Sequence, residues 1–469
     1  MRKKAGRRKR GRAEDYKIIS YLCSMKTEDQ KTNILSNLEI DHLNKMQVTA
    51  QNTIINKQNI LLLSPTGSGK TLAYLLPVLQ LLKEDVKTVQ CLVVVPSREL
   101  ALQIEQVWKK MGTKYKVNVC YGGHSIDTEL KNLSNPPALL IGTPGRLTDH
   151  LERKSFDTGS VGILVLDEFD KSLQLGFQEE MNTIIGQLPN LQKRVLLSAT
   201  SDVEIPEFVE MKSPVILDYI EEENNDALSI KLVLSPEKDK IESLFQLLCS
   251  LESEPALIFC NHREVTERIS DFLNKKGIQT GYYHGGMDQD DRERVLIQFR
   301  NGSLNYLVTT DLASRGLDIP EMKHVIHYHL PAKESEFIHR NGRTARMHAS
   351  GTAYVIQFKE DKAPDYIPEN LDVLHIKAGK LPNRPEYQTI YISGGKKNKL
   401  NKSDIVGSFL QKGKLDKSDL GLIEVKDFIS FVAVRASAVK TLLANIKDEK
   451  MKGKKYKIEV ARNVIKKVD

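Results

Sequence analysis

Eight short aliphatic runs, each followed by a polar turn and then a helix-like segment, constrain this chain more than any other feature. Five of them, NILLLSP, CLVVVPS, ALLIGTP, GILVLDE and RVLLSAT, begin at Asn59, Cys91, Ala138, Gly162 and Arg194. The other three, ALIFCNH, NYLVTTD and HVIHYHLP, begin at Ala256, Asn305 and His324. A continuous Leu, Ile and Val run without alternation suits a strand buried on both faces of a parallel sheet. Intervening segments such as SRELALQIEQVWKKM have helical periodicity, so the pattern reads as βαβ units. The series breaks at DYIEEENNDAL (Asp218 to Leu228), acidic and aperiodic, which reads as a linker between two similar α/β halves. A second break comes at KAGKLPNRPEYQ, where Gly379, Pro382 and Pro385 interrupt the pattern. The last stretch of about 80 residues reads β-α-β-β-α-β, the length of a split-βαβ module. The expected divisions are a basic tail at 1–12, an α/β domain at 13–217, a linker at 218–228, a second α/β domain at 229–378, a linker at 379–386 and a small α+β domain at 387–469.

Charge is distributed unevenly over this plan. The net +8 divides into +8 on residues 1–12, +10 on residues 391–469, and −10 on everything between. Basic ends on an acidic body suit polyanion-binding appendages, with RNA or DNA the commonest polyanion. For residues 1–12 alone, a solubilising tail is an equal reading. The five cysteines (Cys23, Cys91, Cys120, Cys249, Cys260) are scattered without a C-x-x-C pair, which argues for reduced thiols in a cytoplasmic setting and against structural zinc. No apolar run approaches the ~18 residues of a membrane span, and the basic N-terminus lacks a signal-peptide core, so no membrane role is expected.

Chemistry enters at SPTGSGKT, Ser64 to Thr71, which follows one expected strand and opens a helix. Glycine lets the backbone N–H groups of Gly67, Ser68 and Gly69 wrap phosphate oxygens. Lys70 reaches the β and γ phosphates, and Thr71 offers a hydroxyl to Mg²⁺. The strict pattern has Gly where this chain has Ser64. Such a loop needs a carboxylate at the end of a neighbouring buried strand. DEFD supplies it 97 residues after Lys70, with Asp167 suited to Mg²⁺ and Glu168 to the attacking water. Taken alone, DEFD would read as a solvated acidic turn. After a P-loop, and ending an aliphatic strand, it reads as a metal site. Phe169 inside it needs room, because overpacking costs roughly 1–3 kcal/mol, so compensating smaller neighbours are expected.

With these motifs in hand the chain resembles the DEAD-box RNA helicases, from about Ile34 to Val355. SPTGSGKT resembles motif I, PSRELA (Pro96 to Ala101) motif Ia, Gly122–Gly123 the glycine doublet, TPGR (Thr143 to Arg146) motif Ib, DEFD motif II and SAT (Ser198 to Thr200) motif III. IFCN stands where motif IV would, TTDLASRGLD (Thr309 to Asp318) resembles motif V, and HRNGRTAR (His339 to Arg346) motif VI. The resemblance implies two tandem RecA-like parallel-sheet domains, with ATP and Mg²⁺ as cofactors. It implies nucleotide contacts from Gln47, Thr66, Gly67, Ser68, Gly69, Lys70, Thr71 and Asp318, the last on the ribose. It casts Arg343 and Arg346 as arginine fingers beside the catalytic Lys70, Asp167 and Glu168, and Asp170, Ser198 and Thr200 as the coupling link. It puts Arg98, Gly123, Thr143, Gly145, Arg146, Arg300 and Thr310 on the RNA backbone. Two departures stand out. Gln47 lacks the family's Pro-Thr-Pro and upstream aromatic, which loosens the expectation of strict ATP selectivity, and His329 replaces a usual carboxylate. His327 and His329 share a strand face, but no Cys or Asp joins them at ligand spacing.

The last domain resembles the RNA-binding domain of the bacterial DbpA subfamily, through TIYISGGKKNKLNKSDIVGSFLQ, LGLIEVKDFISFVAVR and GKKYKIEVAR. That resemblance implies an RRM-like fold tethering the helicase to a hairpin of 23S ribosomal RNA, with pre-50S particles as its setting. From the residues themselves, SGGKKNKLNKSDIVG sets lysines beside a helix start that Ser403 or Asp404 would cap. Tyr391 and Phe431 fit two base-stacking positions, but Ile429 and Val434 occupy others, so the weight falls on Lys396, Lys397, Lys399 and Lys402. The expectation is an ATP-dependent RNA helicase that opens short duplexes and is directed to large-subunit rRNA. A DNA-directed motor of the same superfamily and a non-catalytic RNA clamp or annealer stay open. Oligomeric state is not legible in the sequence.

Overall fold

The computed structural model of the chain describes residues 32–65, 67–123, 125–200, 204–220, 228–311, 322–344, 351–376 and 379–462. The basic tail at 1–12 lies outside them. The chain divides into two compact units, Met1–Glu223 and Asn224–Asp469.

In the first unit seven strands lie in the order β3-β4-β2-β5-β6-β1-β7, every pairing parallel. They are β1 (Asn59–Leu63), β2 (Cys91–Val94), β3 (Val117–Cys120), β4 (Leu139–Gly142), β5 (Ile163–Leu166), β6 (Lys193–Ser198) and β7 (Val215–Asp218). The helices are α1 (Lys45–Asn56), α2 (Lys70–Leu81), α3 (Arg98–Lys110), α4 (Ile126–Leu133), α5 (Pro144–Glu152), α6 (Phe169–Gln174) and α7 (Gln178–Gly186). The aliphatic runs are buried on both faces for a simple reason. Ile60 and Leu62 join one core with Tyr74 and Ile104, while Leu61 and Leu63 join another with Leu147, Phe169 and Met181. Each side of the sheet is roofed by helices, so the middle of each run is aliphatic. The motif-bearing loops follow the carboxyl ends of β1 to β6, the edge where open α/β sheets bind ligands.

The second unit repeats that strand order as β10-β11-β9-β12-β13-β8-β14, again parallel. Its strands are β8 (Leu228–Ser235), β9 (Ala256–Phe259), β10 (Thr280–Tyr283), β11 (Tyr306–Thr309), β12 (His324–His327), β13 (Gly351–Phe358) and β14 (Asp372–Val373). Its helices are α8 (Ile241–Ser250), α9 (Arg263–Lys275), α10 (Gln289–Arg300) and α11 (Glu334–Asn341).

The same unit carries the small C-terminal domain. Here β15 (Tyr387–Ile392), α12 (Lys402–Gln411), β16 (Leu420–Val425), β17 (Ser430–Arg435), α13 (Val439–Ile446) and β18 (Ile458–Val460) form an antiparallel sheet ordered β16-β17-β15-β18. Ile390, Ile392, Val432 and Val434 face a core with Ile405, Phe409 and Leu442 of the two helices. The cap of α12 differs from the sequence reading. Asn401 is the N-cap, accepting from the Asp404 N–H, and Asp404 returns the bond to the Asn401 N–H. Ser403 and Asp404 therefore lie inside the helix; the chain turns two residues earlier because Asn401 and Asp404 form a reciprocal pair.

The opposite face of this sheet is covered too. Phe431, only 2% exposed, and Ala461 pack with Ile297 of α10, with Tyr391 and Ile429 at the margin. Asn301 Nδ2 donates to Thr389 Oγ1 at 2.8 Å, Gln298 Nε2 to the Ala461 carbonyl at 3.4 Å, and Arg300 pairs with Glu424 at 2.6 Å. Among the described residues, no helix is long and apolar enough to cross a membrane.

Candidate functional site

The loop after β1 enters α2 through Gly67 and Gly69, both in the left-handed region at φ 93° and 90°. A Cβ at residue 69 would also lie 2.4 Å from Gln47 Nε2, so glycine is required there twice over. Gln47 is bound into this loop. Its side chain accepts from the Asn44 N–H at 3.0 Å and donates to the Gly69 carbonyl at 3.2 Å, while Asn44 Nδ2 donates to the Ser68 carbonyl. The amide keeps one N–H and one lone pair for a further partner. Lys70 Nζ turns onto the loop itself, donating to the carbonyls of Ser64 and Pro65. Ser64, where a glycine was expected, is buried and shares a 2.6 Å hydroxyl bond with Ser68. Thr66 lies outside the described residues.

Asp167 stands at the end of β5, almost wholly buried. Burial pushes its carboxyl above the usual carboxylate range, opposed by the nearby Lys70 and by hydrogen bonds from Tyr74 and the Glu168 N–H. Tyr74 Oη donates to Asp167 Oδ2 at 3.2 Å, a contact that the sequence reading missed. Its signal was available, since Tyr74 lies one helical turn after Lys70 on the same face of α2. Glu168 adopts the left-handed conformation at φ 49°, ψ 49°. That costs a non-glycine residue about 1–2 kcal/mol, and such strain concentrates at functional sites. It also sends the chain into α6 with Phe169 turned inward. Phe169 is 1% exposed in the core that holds Leu61, Leu164, Leu196 and Met181, and Asp170 is buried beside it. The loop after β6 joins the same edge. The Ser64 N–H donates to the Ser198 carbonyl, and Ser198 Oγ bonds both the carbonyl and the N–H of Thr200.

A second cluster forms around Tyr121. Arg98 lies over the Tyr121 ring at 4.5 Å, Arg146 Nε donates to the Tyr121 carbonyl at 3.2 Å, and Gly123 follows at φ 96°. Thr143 is the N-cap of α5, its N–H on the Cys120 carbonyl, and Gly145 has open space where a Cβ would be. Beneath them is a buried pair that sequence reasoning did not find. Glu129 accepts from the Tyr121 N–H at 3.1 Å, lies 2.6 Å from His150 Nε2 and 3.4 Å from Arg146 Nε. Cys120, Glu129 and His150 are close enough to suggest a metal site, but the Glu129 oxygens are already engaged. Five residues that the motifs grouped only by likeness, Arg98, Gly123, Thr143, Gly145 and Arg146, are thus brought to one place.

In the second unit Arg343 is buried after α11, and the Thr310 N–H donates to the Tyr283 carbonyl. Arg346 and Asp318 lie outside the described residues. The first arginine of HRNGRTAR has a structural partner set. Arg340 Nε and one terminal nitrogen grip both Asp311 oxygens, at 2.6 and 2.9 Å, and its other bonds go to the His329 carbonyl and Asn261. Burial, helped by the positive charge of Lys240, Arg340 and Arg268 nearby, pushes His329 down to about 4. His327 is buried on Asn341 and is pushed down to about 3. Neither histidine belongs to a three-ligand cluster among the described residues. Arg300 is bound to Glu424 of the C-terminal domain. Lys396, Lys397, Lys399 and Lys402 are exposed along one edge of that domain.

Fold and site together define a P-loop nucleoside triphosphatase built on two parallel-sheet domains. Residues 44–208 match the DEAD/DEAH box helicase model, 239–348 the helicase conserved C-terminal domain and 389–460 the DbpA RNA binding domain. The chain is 30% identical to the ATP-dependent RNA helicase DbpA of Bacillus subtilis (strain 168), covering 89% of this chain and 94% of the relative. It is 30% identical to that of Escherichia coli (strain K12), covering 92% and 98%. Among solved structures, S. cerevisiae Dbp5 bound to RNA and ADP BeF3 aligns with TM-score 0.62 at 26% identity, covering 70% of this chain and 88% of that one. Mss116p bound to ssRNA and AMP-PNP aligns with TM-score 0.64 at 27% identity, covering 71% and 72%. The chain belongs to the DEAD-box ATP-dependent RNA helicases, in their DbpA branch, and is an RNA-dependent ATPase.

Proposed function

We propose that this helicase opens short RNA duplexes locally and is directed by its C-terminal domain to large-subunit (23S) ribosomal RNA, in pre-50S particles. The observation that carries the targeting is the 389–460 domain itself, with Lys396, Lys397, Lys399 and Lys402 exposed on one edge. Lysine-rich edges gather phosphate without reading sequence. In the first unit Lys70 leaves the carbonyls of Ser64 and Pro65 for the triphosphate, which the amides of Gly67, Ser68 and Gly69 surround. Thr71 and Asp167 offer hard oxygen donors, a set that fits Mg²⁺, which would supply positive charge to offset that of the triphosphate when bound. Tyr74 holds Asp167 in orientation, and Glu168 orients and deprotonates the attacking water. Arg343 and Arg346 supply positive charge to the transferring phosphoryl group. Asp318 contacts the ribose and Gln47 the base. Ser198, Thr200 and Asp170 link this chemistry to the RNA-facing Arg98, Gly123, Thr143, Gly145 and Arg146, with Thr310 and Arg300 adding contacts from the second unit. The link is supported by the Ser64–Ser198 backbone bond. Buried, unbridged Cys91, Cys120 and Cys260 favour a cytoplasmic setting.

The test is strand displacement from a short duplex, either alone or joined to a large-subunit rRNA hairpin. The expected result is ATP-dependent displacement that the hairpin accelerates and that Lys70→Ala abolishes. Equal rates with and without the hairpin would remove the targeting; displacement by Lys70→Ala would remove the ATP-driven mechanism.

A further inference from the structure

We propose that the C-terminal domain stacks an unpaired RNA base on Phe428, at the tip of its β16–β17 hairpin, rather than on its sheet. This rests on the reading that the domain holds the RNA, and it names the surface. Phe431, Tyr391 and Thr389 point to the sheet face that packs on α10 and residues 301–303, and the 2% exposure of Phe431 leaves its ring closed to a base while the domain is docked. Phe428 is 66% exposed, the most exposed of the large hydrophobic side chains among the described residues.

The neighbourhood of Phe428 is built, not incidental. The tip is closed by the Lys426 N–H on the Ile429 carbonyl at 2.8 Å. The turn Lys396–Asn398 is laced onto it by two bonds, from the Lys396 N–H to the Lys426 carbonyl and from the Lys397 N–H to the Asp427 carbonyl, each 2.8 Å. Gly395 permits this approach, since a Cβ there would meet the Lys426 carbonyl oxygen at 2.3 Å. Ser430 Oγ ties the hairpin to the Gly394 carbonyl at 2.7 Å. Lys396 and Lys397 are therefore bonded onto the tip that carries Phe428, with the exposed Lys399 following in the same turn, and none of the three takes part in an ion pair among the described residues. Asp427 is the only acid in the tip. An aromatic face flanked by unpaired cations is the arrangement that holds a single-stranded nucleotide, ring on base and ammonium on phosphate. Glu424 then connects the surface to the helicase domain. One oxygen is on Arg300 at 2.6 Å, the other 3.4 Å from Lys426, so RNA phosphate that displaces Glu424 gains both cations in one continuous strip.

The test uses the full chain and a fluorescent large-subunit rRNA hairpin with an unpaired loop. Phe428→Ala should weaken binding roughly 5- to 150-fold, the range for one lost base stack, and Phe428→Trp should restore it. The chain's one tryptophan, Trp108, is buried, so quenching of the new indole by RNA reports stacking directly. Lys396→Glu/Lys397→Glu should weaken binding at least tenfold. If Phe428→Ala binds within twofold of the parent, or the Phe428→Trp indole is not quenched, the stacking proposal is overturned. Should the lysine variant lose affinity in that case, RNA binding by the domain stands without it; should neither variant matter, that reading falls too.

Discussion

Replacing Arg340 measures whether the first arginine of HRNGRTAR holds the second helicase domain together rather than facing the nucleotide. Its side chain is fully buried, with four hydrogen bonds: both oxygens of Asp311, the His329 carbonyl and Asn261 Oδ1. Its guanidinium also lies 5.2 Å from the centre of the Phe259 ring. Arg340→Ala removes the guanidinium donor from the His329 carbonyl, the Asn261 amide oxygen and both oxygens of Asp311. Removing one partner of a buried pair costs about 3–5 kcal/mol. The side chain of Asp311 is 27% exposed and can recover some water, which places the loss at the low end, about 3 kcal/mol. For a domain of this size, about 3 kcal/mol lowers the melting temperature by roughly 6–12 °C. Arg340→Lys keeps the charge but not the fork and should fall between. Differential scanning calorimetry of the full chain reads the shift in the second domain. Adding Asp311→Asn to Arg340→Ala should cost less than the two single losses added, because the stranded carboxylate is then gone. A shift below about 2 °C for Arg340→Ala, or strict additivity with Asp311→Asn, would refute the reasoning.

Three further outcomes follow from the same geometry. Asp167→Asn should abolish ATP turnover yet raise the melting temperature at pH 7, because burial raises the folded-state pKa and ionising the group opposes folding. That gain should shrink as pH falls towards the ordinary carboxylate range, and a destabilised variant at pH 7 would contradict it. His329 has the opposite sign: its folded-state pKa is depressed to about 4, so the neutral ring's stability is present above about 6.5 and lost as pH falls to about 4. His329→Asn should flatten that loss in a pH series of melting curves, and an unchanged slope would count against the burial argument. Gly395→Ala should destabilise the C-terminal domain by about 1–3 kcal/mol and weaken RNA binding, because its Cβ would drive the lysine turn off the hairpin tip; unaltered binding and melting would contradict the packing.

The elements that were legible in the sequence are those in which one physical demand fixes many residues. Strands roofed on both sides favour aliphatic side chains through their middles, so β1, β2, β4, β5 and β6 could be read from their aliphatic runs. The P-loop was legible because only glycine tolerates φ near 90° at Gly67 and Gly69. What stayed hidden depends on partners distant in sequence. Tyr74 has its meaning only because β5 delivers Asp167 to it, and Glu129 and His150 look like ordinary helix residues until α4 and α5 bring them together. Phe431 obeys the alternation of a sheet whose second face should be open; a different domain covers that face, and no local pattern in β17 can announce it. Asn401 caps α12 through a reciprocal exchange with Asp404, and adjacent Ser and Asp residues offer the same capping chemistry, so sequence does not single it out. Phe169 packs inward with Leu61, Leu164, Leu196 and Met181, and the left-handed conformation of Glu168 just before it is not declared by sequence alone.

ATP turnover tests the central claim most directly. The rate is measured with a large-subunit rRNA fragment and with random RNA of equal length, for the full chain and for a chain ending before residue 386. The account predicts strong preference for the rRNA fragment in the full chain and equal, weaker stimulation by both RNAs without the C-terminal domain. Equal stimulation of the full chain, or a preference that survives the truncation, would contradict it.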